Sequence, residues 1–188
     1  MGVARLSCVF TFAIAACATG GGDSGSPPST GSPDGGIVIG DAGDGAPDPF
    51  AAAPTCTSAV TWTRGNHGSA EMNPGRGCIA CHATNEGPEL TVAGTVYPSA
   101  HEPDLCDGAD GSEGFRITIV GADGQSLTLT PNAAGNFDSK AHVALPYTAK
   151  VAYMGRERAM GVMQTSGDCN SCHTQTGANG APGRILLP

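Results

Sequence analysis

Two copies of one five-residue pattern, Cys78-Ile79-Ala80-Cys81-His82 and Cys169-Asn170-Ser171-Cys172-His173, constrain this chain more than any other feature. A Cys-x-x-Cys pair alone is compatible with a disulfide, a zinc site or thiol redox chemistry. A histidine directly after the second cysteine, in both copies, sharply narrows the choice and points to covalent haem attachment. The two thiols can add to the vinyl groups along one porphyrin edge, and the adjacent imidazole is placed to ligate the iron. The expected cofactors are therefore two haem c groups, bound through Cys78, Cys81 and His82 and through Cys169, Cys172 and His173. Covalent discs of that size would also help a head with 5% aromatic residues to build a core.

Each iron has a second axial position, and the sequence offers few donors for it. His67, His101 and His142 are the remaining histidines, and Met72 lies six residues before Cys78. His101 stands at the end of an expected strand, where ligands often project. His67 sits in the turn Gly65-Asn66-His67-Gly68, and His142 is equally well explained as a strand-surface residue. Met160 and Met163 read as strand core fillers. No His or Met follows His173, so the second site must take its sixth ligand from earlier in the chain or lack one.

This chemistry belongs outside the bacterial cytoplasm. Residues 1–16 carry one early charge, Arg5, and then an apolar run from Val9 to Ala16 that is too short to span a bilayer. The following Ile14-Ala15-Ala16-Cys17 resembles the bacterial lipobox. That resemblance implies a lipidated Cys17 and, with Ala18 after it, an outer-membrane lipoprotein facing the periplasm or the cell surface. An ordinary signal peptide ending before an unrelated cysteine is the alternative.

Residues 17–55 are dominated by Gly, Ser, Pro, Asp and Ala, with five aspartates and no Lys or Arg. Such a segment buries too little apolar surface to offset the entropy of ordering, so a solvated linker is expected. Its only compact apolar run, Ile37-Val38-Ile39, has an added edge strand as its alternative reading. From Cys17 onward there are 8 basic and 17 acidic residues, a formal charge near −9. Nucleic acid is not an expected partner, because phosphate binding needs a basic patch. A redox partner with a basic face, and a membrane reached through the lipid anchor, are the expected ones.

The remaining residues suffice for one compact domain, divided into a first haem-binding segment (56–89), a β-rich centre (90–163) and a second haem-binding segment (164–188). Alternating, branched runs predict strands at Leu90–Tyr97, Phe115–Val120 and Ser126–Thr130. Gly121-Ala122-Asp123-Gly124 joins the last two, because Asp-Gly supplies the positive φ a tight turn needs. Further strands are predicted around Asn136-Phe137, within Val143–Tyr153 and over Arg158–Met163. The fold class expected is all-β, a small antiparallel β-sandwich flanked by irregular or short-helical haem-binding segments.

The run Val92-Ala93-Gly94-Thr95-Val96, the hairpin Ile117 to Gly124, and Asn136-Phe137 ahead of Leu145-Pro146-Tyr147 resemble the carboxypeptidase-regulatory-like, or prealbumin-like, β-sandwich. That resemblance covers about residues 90–163 and implies a scaffold with no catalytic set of its own. The flanking motifs are similar to those of c-type cytochromes over the motif residues only.

Once the motifs and the anchor are assigned, Cys56 and Cys106 remain, and an oxidising compartment would pair them. Asp104, Asp107, Asp110 and Glu113 are spaced by threes, which matches no calcium loop and reads as a solvated acidic turn. The function expected is electron transfer in the cell envelope by a lipid-anchored dihaem cytochrome, not enzymatic turnover. A dihaem peroxidase would need an open iron position and usually a longer, helical chain. The alternative from another class is a haem-free lipoprotein whose motif cysteines form disulfides or a Cys/His zinc site.

Overall fold

The computed structural model describes residues 47–188 and, in addition, the strand Gly36–Ile39. The signal segment 1–16, Cys17 and most of the linker lie outside the described residues.

The described chain is mainly β, with strands in two sheets and little helix. The larger sheet contains β1 (Gly36–Ile39), β7 (Arg156–Met160), β6 (Thr148–Tyr153), β3 (Arg116–Val120) and β4 (Ser126–Leu129), in that spatial order. The smaller has β5 (Asn136–Ser139), β2 (Val92–Tyr97) and β8 (Ile185–Leu186), with β2 in the middle. One α-helix, α1 (Cys78–Thr84), carries the first motif.

Local chemistry explains most of these elements. β3 alternates between covered and open positions, with Ile117 and Ile119 buried, as a strand with one face on the core requires. The β3–β4 hairpin pairs Val120 with Ser126. Its turn closes as Gly124 N–H donates to the Gly121 carbonyl at 2.9 Å, and Gly124 takes φ +76°. β2 is buried along its whole length, which suits a central strand covered on both faces. Val92, Val96, Phe115, Ile117, Ile119, Phe137, Tyr147 and Val151 form one apolar cluster fed by both sheets.

Three features depart from the sequence reading. β8 was not expected, and it pairs parallel with β2 (Val96 with Ile185, Tyr97 with Leu186), so the strand pairing is not wholly antiparallel. Ile37 to Ile39, placed in the linker, pairs antiparallel with β7 as an edge strand of the larger sheet. The strand expected to reach Met163 stops at Met160, and Met163 is 54% exposed, so it fills no core. No helix of the described residues is long and apolar enough to cross a membrane.

Candidate functional site

The first motif is helical, and its spacing then has a geometric consequence: Cys78, Cys81 and His82 stand at i, i+3 and i+4 and share one face. α1 starts at Gly77, which offers no side chain as a cap. The Asp168 carboxylate takes that role from 90 residues away, accepting from the N–H groups of Cys78 and Ala80 at 3.1 Å each. Asn85 closes the other end, its backbone and side-chain N–H groups both donating to the Cys81 carbonyl.

An open cavity of about 870 Å³ lies against this face, within the roughly 300–1,000 Å³ typical of cofactor sites. Cys78, Cys81, His82 and Met72 are in its wall, joined by Asn170 and Thr174 from the second motif's segment. The His82 Nδ1 faces the Pro88 carbonyl at 3.2 Å. A proton held there leaves Nε2 as the basic nitrogen, the arrangement an iron-ligating imidazole uses.

The second motif forms a single turn, with the His173 N–H donating to the Cys169 carbonyl at 2.9 Å. The His173 Nδ1 faces the Gly183 carbonyl at 2.9 Å, again leaving Nε2 basic. Burial holds its pKa below the ordinary value; the Gly183 carbonyl opposes this and Arg184 adds to it, so the neutral ring that binds metal is favoured. The Cys169 thiol is placed differently. It packs against the apolar cluster, 3.9 Å from the Tyr147 hydroxyl, and a Cβ on Gly94 would come within 2.9 Å of its own Cβ. Burial pushes it up to about 12, against the Tyr147 hydrogen bond and with help from Asp168. Burial and then Asp168 push Cys78 to about 12 as well. Neither is a thiolate at neutral pH.

The two motifs are joined, a point no spacing rule could supply. Asn170 is 2% exposed. Its side-chain oxygen accepts from Thr95 N–H at 3.1 Å, while its amide donates to the Arg76 carbonyl at 2.9 Å and to Thr95 Oγ1 at 3.0 Å. Thr95 Oγ1 also accepts from Gly75 N–H at 3.0 Å and donates to Asn136 Oδ1 at 2.8 Å. One hydroxyl on β2 thus ties the approach to the first motif, the second motif and β5. Thr95→Val keeps the shape and orphans these buried partners. It should cost about 2 kcal/mol, read by chemical denaturation with an unchanged m-value.

Arg184, 1% exposed, is the other buried tie. Nε donates to the Glu102 carbonyl at 2.9 Å, Nη1 to the carbonyls of Gly75 (2.9 Å) and His173 (3.3 Å), and Nη2 to Asp104 Oδ1 at 2.6 Å. The guanidinium carbon stands 5.0 Å from the centre of the Tyr97 ring. Gly75 has φ +81°, and a Cβ there would come within 2.6 Å of the Tyr97 hydroxyl and 2.9 Å of Nη2, so only glycine permits this approach.

The other candidate ligands fall into place differently. Met72 is half-buried in the cavity wall beside the first motif. His101 is not available to iron: Nδ1 faces the Gln175 carbonyl and Nε2 faces the Phe50 carbonyl at 2.8 Å, which occupies both nitrogens. His67 is exposed in its turn. His142 is exposed and lines a separate 130 Å³ hollow beside the β3–β4 hairpin.

Those two carbonyls make His101 a proton-dependent staple. Its pKa is raised above 6.5, first by the Phe50 carbonyl and then by the Gln175 carbonyl, against burial and with help from Asp48. A raised folded pKa contributes stability that is complete below the unfolded value and fades as pH rises through the folded one. The melting-temperature gap between wild type and His101→Gln should therefore be widest near about pH 5 and shrink by about pH 8. A gap independent of pH would show that the second N–H donation, present only in the protonated ring, adds nothing to stability.

Cys56 and Cys106 are joined in a disulfide. Glu102, fully buried, lies beside it and accepts from Thr57 N–H at 3.0 Å and from Ser99 Oγ at 3.0 Å. Cys56, Glu102 and Cys106 have the proximity of a metal cluster, but both sulfurs are spent in the covalent bond. Among the described residues no three of the motif thiols and imidazoles gather within 4.8 Å of one another, and Cys78, Cys81 and Cys169 are free thiols. In the acidic turn, Asp110 caps the short turn Gly111–Glu113, and Asp104 pairs with Arg184.

Sequence reasoning missed Asp168, Asn170, Thr95 and Arg184. The only signal for them was polar residues inside or beside motifs and strands, which is too common to read. No family model matches the chain, and no curated protein or solved structure matches it either.

Proposed function

We propose that this protein is a lipid-anchored c-type cytochrome that carries electrons in the bacterial cell envelope, with haem c held by the two Cys-x-x-Cys-His motifs. The observation that carries the reading is the shared face of Cys78, Cys81 and His82, turned to a cavity of about 870 Å³ with Met72 in its wall. The residues at the first motif fit the group: two thiols for thioether bonds, an imidazole with Nε2 basic, and a thioether sulfur as sixth-ligand candidate. When bound, haem supplies a reversible one-electron change at iron. The chain fixes the imidazole through the Pro88 carbonyl and brings apolar wall from Leu90 and Phe137.

At the second motif the imidazole fits and the thiols fit less well, because the Cys169 sulfur is packed against the core. That observation favours a second version of the same reading, in which the first motif carries haem and the second is structural. The two sheets, which share one apolar cluster, serve as a sandwich-like scaffold between the motifs. The acidic head suits a basic redox partner, and Cys17 would supply the anchor. Electron carriage is preferred to peroxidase turnover because Met72, in the cavity wall, would be available to the first iron as a sixth ligand.

Expression with a c-type maturation system tests this directly. The expected product has a Soret band, a sharp α band on reduction, and a mass gain of one haem for the single-site version or two for the dihaem version. A colourless chain of unmodified mass would rule the cytochrome reading out.

A further inference from the structure

We propose that Asp168 and Asn170 are positioning residues for the first haem site, so that the second motif completes the first as one cofactor unit. This rests on the haem reading given above. Asp168 lies one residue before Cys169, and Asn170 is the first variable residue of the second motif. Neither would be called on by haem attachment at their own motif. Asp168 is spent on the first motif, and Asn170 is shared between the approach to it and Thr95 of β2.

The hydrogen bonds are specific. α1 has seven residues and no side-chain cap from Gly77, so on its own it would be marginal. Asp168, 7% exposed, spreads its two carboxylate oxygens over two N–H groups of the first turn, those of Cys78 and Ala80. Its backbone is held in turn, because residues 167 and 168 run alongside β2: Ala93 N–H donates to the Gly167 carbonyl at 2.9 Å and Ala93 bridges Asp168 in parallel. Asn170 fixes the chain two residues before the helix through the Arg76 carbonyl and locks itself to β2 through Thr95. The segment carrying both thiols and His82 is therefore seated on β2 by side chains from the second motif.

The cavity agrees. Asn170 and Thr174 stand in the wall that Cys78, Cys81 and His82 also line, so the first site is incomplete without the second motif's segment. Loss of either hydrogen-bonding side chain should free α1 to fray and tilt, which moves both thiols and the imidazole together.

Two measurements on the full-length chain test the idea. In the haem-free protein Cys78 is half-buried in the cavity wall, and peptide-mapped alkylation reads how much more accessible it becomes when α1 loosens. Compared at equal thiolate fraction, because burial and then Asp168 hold the Cys78 pKa up, Asp168→Ala and Asn170→Ala should each speed Cys78 labelling about tenfold or more, whereas Asp168→Asn, which keeps one of the two capping oxygens, should fall between wild type and Asp168→Ala. In the matured protein the same two alanine variants should lose most of the haem from Cys78 and Cys81, or hold it with a shifted α band and midpoint potential. Far-UV circular dichroism separates a loosened motif from an unfolded chain, and Asn170→Ala with Asp168→Asn carries the comparison if Asp168→Ala unfolds. A wild-type chain without haem ends the cytochrome reading and this role with it. A wild type with haem on the first motif, and alanine variants unchanged in occupancy, spectrum, potential and Cys78 labelling, overturns the positioning role alone.

Discussion

Replacing Arg184 by methionine should lower the stability of the chain by about 3–5 kcal/mol, the largest effect expected of any single substitution here. The cost does not come mainly from the ion pair. Asp104 is about half exposed (52%), and a carboxylate that open to water loses little when its partner goes. It comes from the carbonyls of Glu102, Gly75 and His173, which Arg184 alone is seen to satisfy from within the core. Each buried carbonyl left without a donor costs about 1–3 kcal/mol, moderated where water can enter. Methionine keeps the apolar stem against Tyr97, so the loss reads the guanidinium rather than a cavity. Asp104→Asn is the companion measurement and should cost under about 1 kcal/mol. If the two substitutions proved equally damaging in urea denaturation, the ion pair and not the carbonyl clamp would be the stabilising element.

Removing the disulfide is the second large effect. The Cys56–Cys106 bond closes a loop with a sequence separation of 50 residues. Loop-closure entropy in the unfolded chain then gives about 4 kcal/mol, an upper figure where the unfolded state is compact. The double substitution Cys56→Ala and Cys106→Ala should accordingly cost about 2–4 kcal/mol and lower the melting temperature by about 5–15 °C for a domain of this size. The bond holds the 56–62 approach, where Trp62 N–H donates to the Leu105 carbonyl at 2.7 Å, against the turn that presents Glu102. A melting temperature unchanged by the double substitution would mean that this backbone pairing and the Thr57–Glu102 contacts already fix the approach unaided.

Both effects concern the same architectural problem. Two segments at opposite ends of the head, 56–89 and 164–188, have to be held on one central strand. β2 does this with a few buried polar groups rather than with a wide apolar interface. Thr95 reaches three segments with one hydroxyl, Arg184 reaches three carbonyls and a carboxylate with one guanidinium, and Asp168 caps a helix it does not belong to. Such networks stabilise when every partner is satisfied and fail together when one is removed. This is why the chain tolerates a composition poor in aromatic residues and still positions two thiols and an imidazole on one face.

Local chemistry alone, readable in the sequence, determined much of this protein. Period-two alternation set β3, because a one-residue slip would turn Ile117 and Ile119 to solvent. Asp123-Gly124 set the hairpin, because few other residues take the φ of +76° found at Gly124. At the first motif the Cys-x-x-Cys-His spacing gave Cys78, Cys81 and His82 a common face once the segment became helical, because a helical turn brings i, i+3 and i+4 together.

What the tertiary structure decided has no local signature. His101 had a ligand's place at the end of a strand, yet carbonyls from residues 50 and 175 hold both its nitrogens. β8 is two residues long, too short for any alternation to show, and forms only because the chain end returns alongside Val96 and Tyr97. The joining of the two motifs rests on Asp168 and Asn170 meeting α1 and Arg76 across about ninety residues of chain. A sequence records which groups can donate and accept; which of them meet depends on how β2 gathers segments far apart in the chain, and that is a property of the folded state.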